Sequence, residues 1–261
     1  TGRVVLLFQP AEETGRGATS VVNDKAFNEI RPDFTFALHN LPGKPLGHVF
    51  VKPGLFNYAS RGLIVTLKGL ESHAAHPEDG LSPATAMCRI IEKLPKIAKS
   101  IAGFNMVTII SAKLGEPNFG TAPGDASVMA TLRTTSNEAM ENLAKLSVAM
   151  AKEEAQREKL SIEVSWTDDF STCSNTKIGS DHVVSACEKL GITCTVPNDG
   201  YRWSEDFGRI LESSKDGAMF TLGAGVDTPQ LHRPSYDFPD ALIPIGASIF
   251  VQLIRQCNKF A

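Results

Sequence analysis

The apolar positions of this chain follow two rhythms. Over residues 4–8 and again over 34–38 they run continuously, the pattern of strands buried on both faces of a sheet, and a helical pattern over 18–27 lies between them. From about Gly62 the rhythm becomes strict alternation, with Leu63, Val65 and Leu67 on one face. Ser82-Pro83 then reads as a helix start, Ser capping and Pro in the first turn, ahead of apolar Met87, Ile90, Ile91 and Leu94. Two strands follow over 104–114 and 125–133. Thr135-Ser136-Asn137-Glu138 has the form of a capping box opening a second helix, and Ile162, Val164 and Trp166 mark a last alternating strand. From Asp181 the first rhythm returns, with a helix through Leu190 stopped by Gly191, a strand over 218–222 and a final helix over about 241–257.

Strand, helix, strand, strand, helix, strand is the split βαβ plan of ferredoxin-like domains, here inserted into an α/β pattern that resumes after it. The expected fold class is therefore α/β: a mostly parallel sheet, interrupted by an inserted α+β ferredoxin-like domain. The expected boundaries are 1–60 and 168–261 for the two parts of the α/β domain and 61–167 for the insertion.

Bulk composition narrows the function. With 261 residues, 42% of them apolar, the chain has enough material for two cores. Its 26 basic and 29 acidic residues leave a net charge of −3 and form no long basic run, which disfavours nucleic acid and anionic membrane as partners. No apolar stretch approaches bilayer length. The five cysteines, Cys88, Cys173, Cys187, Cys194 and Cys257, are odd in number and form no C-x-x-C pair, so free thiols and a cytoplasmic location are expected.

The candidate chemistry sits at strand ends, where ligands gather in open α/β sheets. The first apolar run leads into Gln9-Pro10-Ala11-Glu12-Glu13 and the second into His39-Asn40, while His232 follows the 218–222 strand. Two adjacent carboxylates can divide the work of metal chemistry, one holding the ion and the other taking a proton from water. The same pair also suits a solvated turn before a helix, where acidic groups favour the dipole. Imidazole and carboxylate are natural ligands of zinc, manganese, nickel or cobalt, although lone histidines more often serve packing or hydrogen bonding.

The ordered motifs Q-P-A-E-E, A-L-H-N, S-H-A-A-H-P, S-E-D-F and L-H-R-P-x-Y-D-F resemble the aminoacylase/carboxypeptidase family of metallo-amidohydrolases, which includes hippurate hydrolases and plant auxin-conjugate hydrolases. The resemblance runs from Gln9 to Phe238 and on to Pro244-Ile245-Gly246. It implies a zinc-peptidase-like catalytic domain, two divalent ions, and hydrolysis of amide bonds in N-acyl amino acids, a small-molecule substrate. By residue it implies Glu12 as general base, Glu13, His39 and His232 as metal ligands, and His73 as a catalytic histidine that reaches the partner subunit's site. It also implies Asn118 and Arg133 as substrate-binding residues, with Glu205 and Asp206 in support and His76 structural. Arg133 lies on the parity of Ser127, Met129 and Thr131, so it is expected to face away from the core. The inserted domain would act as a lid and homodimer contact.

One departure is large. The family takes further metal ligands from an upstream Cys-Gly-His-Asp segment that these 261 residues do not contain. The expectation is a catalytic sheet incomplete at its start, half a metal site, and weak or absent metal binding and turnover by the chain alone. Two rival readings stand beside N-acyl amino acid hydrolysis: a carboxypeptidase or dipeptidase of the same family, and a non-catalytic dimerising or ligand-binding protein.

Overall fold

A computed structural model describes residues 2–258. In chain order the first stretch holds α1 (Arg16–Asn23), α2 (Phe27–Ile30), β1 (Phe34–Leu41), β2 (Val49–Phe50) and β3 (Gly54–Asn57). The middle stretch holds β4 (Ala59–Lys68), β5 (Ser72–His73), α3 (Ala84–Ser100), β6 (Asn105–Leu114), β7 (Thr121–Ala122), β8 (Asp125–Thr134), α4 (Asn137–Arg157) and β9 (Ser161–Phe170). The last holds β10 (Cys173–Asn175), α5 (Lys177–Leu190), β11 (Cys194–Thr195), α6 (Phe207–Leu211), β12 (Asp216–Gly223) and α7 (Leu242–Cys257). These form two compact units, Thr1–Asn57 with Thr172–Ala261, and Tyr58–Ser171.

The first unit is built on a mixed four-stranded sheet in the order β1-β12-β2-β11. β1 and β12 pair in parallel from Phe34↔Asp216 to Leu41↔Gly223, β11 and β2 are also parallel, and β12 meets β2 antiparallel. Alternation along β12 divides its side chains. Ala218, Phe220 and Leu222 join Val183 of α5 and Leu242, Ile249 and Leu253 of α7 in one cluster, while Met219 packs with Ala18 of α1, Phe56 and Phe207, Ile210 and Leu211 of α6. In β1 the same alternation sends Phe36 and Leu38 to the α5/α7 side and Ala37 to the α1/α6 side. His39 shares the parity of Ala37, which places it on the α1/α6 face.

Two expectations are corrected here. Residues 4–8 form no strand, and their apolar side chains are exposed, Phe8 at 89% and Leu6 at 76%. A strand needs a ladder partner, and β1, the sheet's outer strand, bonds only to β12 among the described residues. The helix expected over 18–27 is two pieces, because the Asp24 carboxylate accepts from the Ala26 amide (2.8 Å) and this local bond competes with helix propagation. The sheet is mostly parallel, as expected, with two parallel pairings and one short antiparallel one.

The second unit is one four-stranded antiparallel sheet in the order β6-β8-β4-β9, with connections β4-α3-β6-β8-α4-β9, the split βαβ plan. Leu63, Val65 and Leu67 meet Ile90 and Leu94 of α3, Val128, Ala130 and Leu132 of β8, and Met140 and Leu143 of α4. Arg133 keeps the parity of Ser127, Met129 and Thr131, half-buried opposite the buried Ala126, Val128, Ala130 and Leu132. The capping residue of α4 is Ser136, one place later than expected; its hydroxyl accepts from the Ala139 amide (3.1 Å), whereas the Thr134 hydroxyl donates to the Ser136 carbonyl (2.8 Å). Within this core Glu154 is fully buried, held by Lys93, by Arg157 at 3.4 Å and by Arg89 at 3.7 Å.

All five cysteines are free thiols. No helix among the described residues is long and apolar enough to cross a membrane.

Candidate metal and carboxylate centre

The Gln9 to Ala18 stretch is folded by backbone conformation before any side chain acts. Ala11 (φ 57°, ψ 41°) and Gly15 (φ 68°) both lie in the left-handed region and bracket a single 3-10 turn, Glu12–Thr14. The Gly15 amide donates to the Glu12 carbonyl (2.8 Å) and the Gly17 amide to the Ala11 carbonyl (3.2 Å). Gly17 must be glycine, because a Cβ there would lie 1.7 Å from the Pro10 carbonyl oxygen. Asp206 then ties the turn down: its carboxylate accepts from the Ala18 amide (2.8 Å) at the start of α1 and from Gln9 Nε2 (3.0 Å). Burial pushes the Asp206 carboxyl up to about 6, the Ala18 amide opposing and the Glu12 charge adding to the rise.

Glu12, half-buried on that turn, hydrogen bonds to the buried Glu205, and Glu205 Oε1 lies 3.5 Å from His39 Nε2. Burial, then the charge and hydrogen bond of Glu12, then Asp206 and Glu13, push the Glu205 carboxyl up to about 9. His39 Nδ1 meets the Asn40 carbonyl at 2.6 Å. A carbonyl only accepts, so Nδ1 carries a proton and Nε2 is turned toward Glu205. The Asn40 side chain accepts from the Tyr236 hydroxyl (2.7 Å). The structure thus brings Glu12, His39 and Glu205 together, with Glu13 near enough for its charge to reach Glu205.

His232 is exposed, has φ 64°, and its side chain makes no hydrogen bond, ion pair or ring contact with any described residue. Among the described residues no three His, Cys, Asp or Glu side chains are gathered closely enough to hold a metal. An apolar cavity of about 300 Å³ lined by Leu38, Leu222, Phe238, Ile243 and Phe250 lies on the α7 side of β1, the face opposite His39.

In the second unit β5 pairs with β7, His73 opposite Thr121. Thr121 Oγ1 accepts from Asn118 Nδ2 (3.0 Å), so His73 and Asn118 belong to one exposed loop cluster. His73 Nδ1 accepts from the Ala75 amide (3.0 Å), and the His76 ring lies 6.1 Å away. Burial lowers the pKa of the Arg133 guanidinium. The motif reading placed Glu205 only in a supporting role and did not notice Trp203, whose ring lies 5.2 Å from His39. Their positions depend on how a loop folds back onto β1, and sequence spacing carries no signal of that.

A mixed α/β sheet with carboxylates of two loops clustered beside the imidazole of β1, carried with a split βαβ unit, fits the class of metallopeptidase-like hydrolase folds. The profile of Peptidase family M20/M25/M40 matches residues 1–256, and the chain belongs to that family. An N-acetyldiaminopimelate deacetylase from Listeria innocua is 25% identical over 254 residues, covering 97% of this chain and 68% of the relative. One from Bacillus pumilus is 29% identical over 226 residues, covering 84% of this chain and 59% of the relative. Among solved structures, the Bacillus subtilis YXEP protein, described as a dinuclear metal binding peptidase of the M20 family, superposes with a TM-score of 0.74 at 22% identity. An aminobenzoyl-glutamate utilization protein from Klebsiella pneumoniae gives 0.76 at 18%. Each covers 94% of this chain, which spans 62% and 60% of theirs.

Proposed function

We propose that the protein to which this chain belongs is a metal-dependent amidohydrolase that cleaves the amide bond of N-acyl amino acids. The observation that carries the reading is the contact of Glu12 and Glu205 beside Nε2 of His39, in a chain of the M20 family. Burial and the neighbouring Glu12 charge make the ionised form of Glu205 costly, and a cation would relieve that cost. The donor set, carboxylate oxygen and neutral imidazole nitrogen, fits a divalent ion. Glu13, His39 and His232 would hold it. When bound, such an ion acidifies water and withdraws electron density from an amide carbonyl.

The remaining roles fall to this chain's own groups. Glu12 takes a proton from the attacking water and passes it to the leaving nitrogen, so that amide and water become carboxylic acid and amine. His73 polarises the scissile carbonyl in the partner subunit's site, and Asn118 and Arg133 hold the substrate's carbonyl and carboxylate. A half-buried guanidinium favours a carboxylate partner that offsets its lost hydration. The unit Tyr58–Ser171 acts as the lid and homodimer contact. The test is a panel of N-acyl amino acids, with N-acetyldiaminopimelate and simple dipeptides, assayed with the metal-loaded parent protein beside its Glu12→Gln variant. Release of free amino acid from the acyl compounds, abolished by Glu12→Gln, is expected. Turnover of dipeptides alone would favour the peptidase reading.

A further inference from the structure

Only two tryptophans occur in the chain, Trp166 and Trp203, and the second is placed by an unbroken run of rings. Phe56, fully buried, packs edge-on against Tyr201 (5.2 Å, 79°); Tyr201 stacks on Trp203 (5.1 Å, 28°); and Trp203 leans on the His39 imidazole (5.2 Å, 44°). The backbone beneath these rings is fastened to β3. The Tyr201 amide donates to the Phe56 carbonyl (2.6 Å), and Asn57 Nδ2 donates to the Trp203 carbonyl (3.3 Å). Gly200 approaches so closely that a Cβ would meet the Leu55 carbonyl at 2.8 Å. On the far side of the sheet residue, the Tyr201 hydroxyl lies 3.2 Å from Thr221 Oγ1 of β12.

His39 needs such support. It sits on the outer strand of the sheet, half-exposed, with one hydrogen bond to a neighbouring carbonyl and one side facing Glu205. Rotation about its side-chain bonds would carry Nε2 away from the carboxyls at little cost, and the indole occupies the space that rotation requires. We infer that Trp203 is a positioning residue: braced through Tyr201 on the Phe56 core, it holds the His39 ring with Nδ1 on the Asn40 carbonyl and Nε2 toward Glu205. The consequence for metal affinity rests on the proposed role of His39 as a ligand; the positioning itself does not.

The experiment therefore has two independent readouts on the purified chain. In the metal-free protein, long-range ¹H–¹⁵N spectra of the histidine rings, with His39 assigned through His39→Gln, should show a single Nδ1–H tautomer. Trp203→Ala, or Trp203→Leu should the alanine variant not fold, should give a mixture of tautomers, and Trp203→Phe should restore the single form. In equilibrium dialysis with Co²⁺ alone, the alanine or leucine variant should bind about 10- to 100-fold more weakly than the parent, with most of the loss recovered in Trp203→Phe. A single, unchanged Nδ1–H tautomer in Trp203→Ala or Trp203→Leu overturns the inference, whatever the cobalt result. If the parent chain binds no Co²⁺, the ligand role of His39 in this chain fails, and the tautomer spectra still decide the positioning role.

Discussion

Replacing Glu205 by Gln in metal-free protein should make the first unit more stable, against the usual direction for a buried polar side chain. Glu205 is buried (9% side-chain exposure) and hydrogen bonded to a second carboxyl, so ionising it in the folded state is unfavourable. The sign follows from proton uptake. A carboxyl whose folded-state value is pushed from 4.5 up to about 9 binds more protons folded than unfolded, so stability falls as pH rises from about 4.5 and levels off above about 9. At pH 7 the interval above the unfolded value is about 2.5 units, or at most about 3.4 kcal/mol at 1.36 kcal/mol per unit. Sharing the proton with Glu12 divides that penalty, leaving about 1–3 kcal/mol for Gln to remove, since Gln carries no charge and its amide still donates to Glu12.

The assay is urea unfolding of the chelator-treated protein from pH 4 to pH 9. Trp203 fluorescence is followed in a Trp166→Phe background, so that the probe lies in the same unit as Glu205. Glu205→Gln should match the parent near pH 4 and exceed it increasingly toward pH 9. Parallel pH curves for the two proteins, or a variant less stable at pH 8, would refute the reasoning. The stabilised variant should also bind Co²⁺ more weakly, because the crowding of carboxyls that destabilises the metal-free state is what favours a cation.

Other substitutions separate roles within the same reading. In the parent protein Glu12→Gln should leave metal content unchanged in equilibrium dialysis while removing most turnover; a near-parental rate would exclude Glu12 as general base. Glu13→Ala, His39→Ala and His232→Ala should each lower metal affinity itself, and unchanged metal content in any one removes that residue from the ligand set. Glu154→Ala in the second unit should cost about 2–4 kcal/mol in urea unfolding at pH 7, toward the lower figure because Lys93, Arg89 and Arg157 are each 38–50% exposed. Its pKa is lowered, Lys93 first among the causes, so its contribution is present at neutral pH and fades as pH falls below about 4.5; the difference between variant and parent should shrink as the pH is lowered.

Much of the fold was legible because burial imposes a period. The continuous run at Phe34 to Leu38 and the run at Ala218 to Leu222 became the parallel pair β1 and β12, and alternating Leu63, Val65 and Leu67 became the core face of β4. Residues 4–8 show the limit of that logic. An apolar run states that a segment prefers burial, but a strand also needs a neighbour whose amides and carbonyls are free, and sequence alone does not reveal that partner. The α4 start lies one residue later than the motif suggests because Thr135 and Ser136 are adjacent hydroxyls, and it is Ser136, extended at φ −150°, whose hydroxyl accepts from the Ala139 amide. Ile162, Val164 and Trp166 do share a face, opposite Leu67, Val65 and Leu63, yet Trp166 stays 37% exposed with the Arg61 guanidinium over its ring.

The site was legible where a motif names it and opaque where the fold creates it. Glu12 and His39 were read from Q-P-A-E-E and A-L-H-N, but the depth of Glu205 and the brace of Trp203 arise from a loop returning to β3 and β1. What ties these residues together is where the first unit tolerates local cost. Of the four non-glycine residues with positive φ among those described, Ala11 and His232 belong to the first unit, each within or beside a motif carrying a proposed ligand or base. The other two, Lys159 and Asp168, sit at the turn after α4 and next to the β9 register shift in the second unit. A left-handed alanine costs roughly 1–2 kcal/mol, a figure comparable to the carboxyl penalty at Glu205. Ala11 strain and the Glu12–Glu205 contact each oppose stability at the turn that meets the His39 face of β1, while the apolar clusters of both units obey ordinary packing. A bound cation would relieve the crowding of the carboxyls, and that is the physical argument for proposing a functional centre at the Glu12 turn.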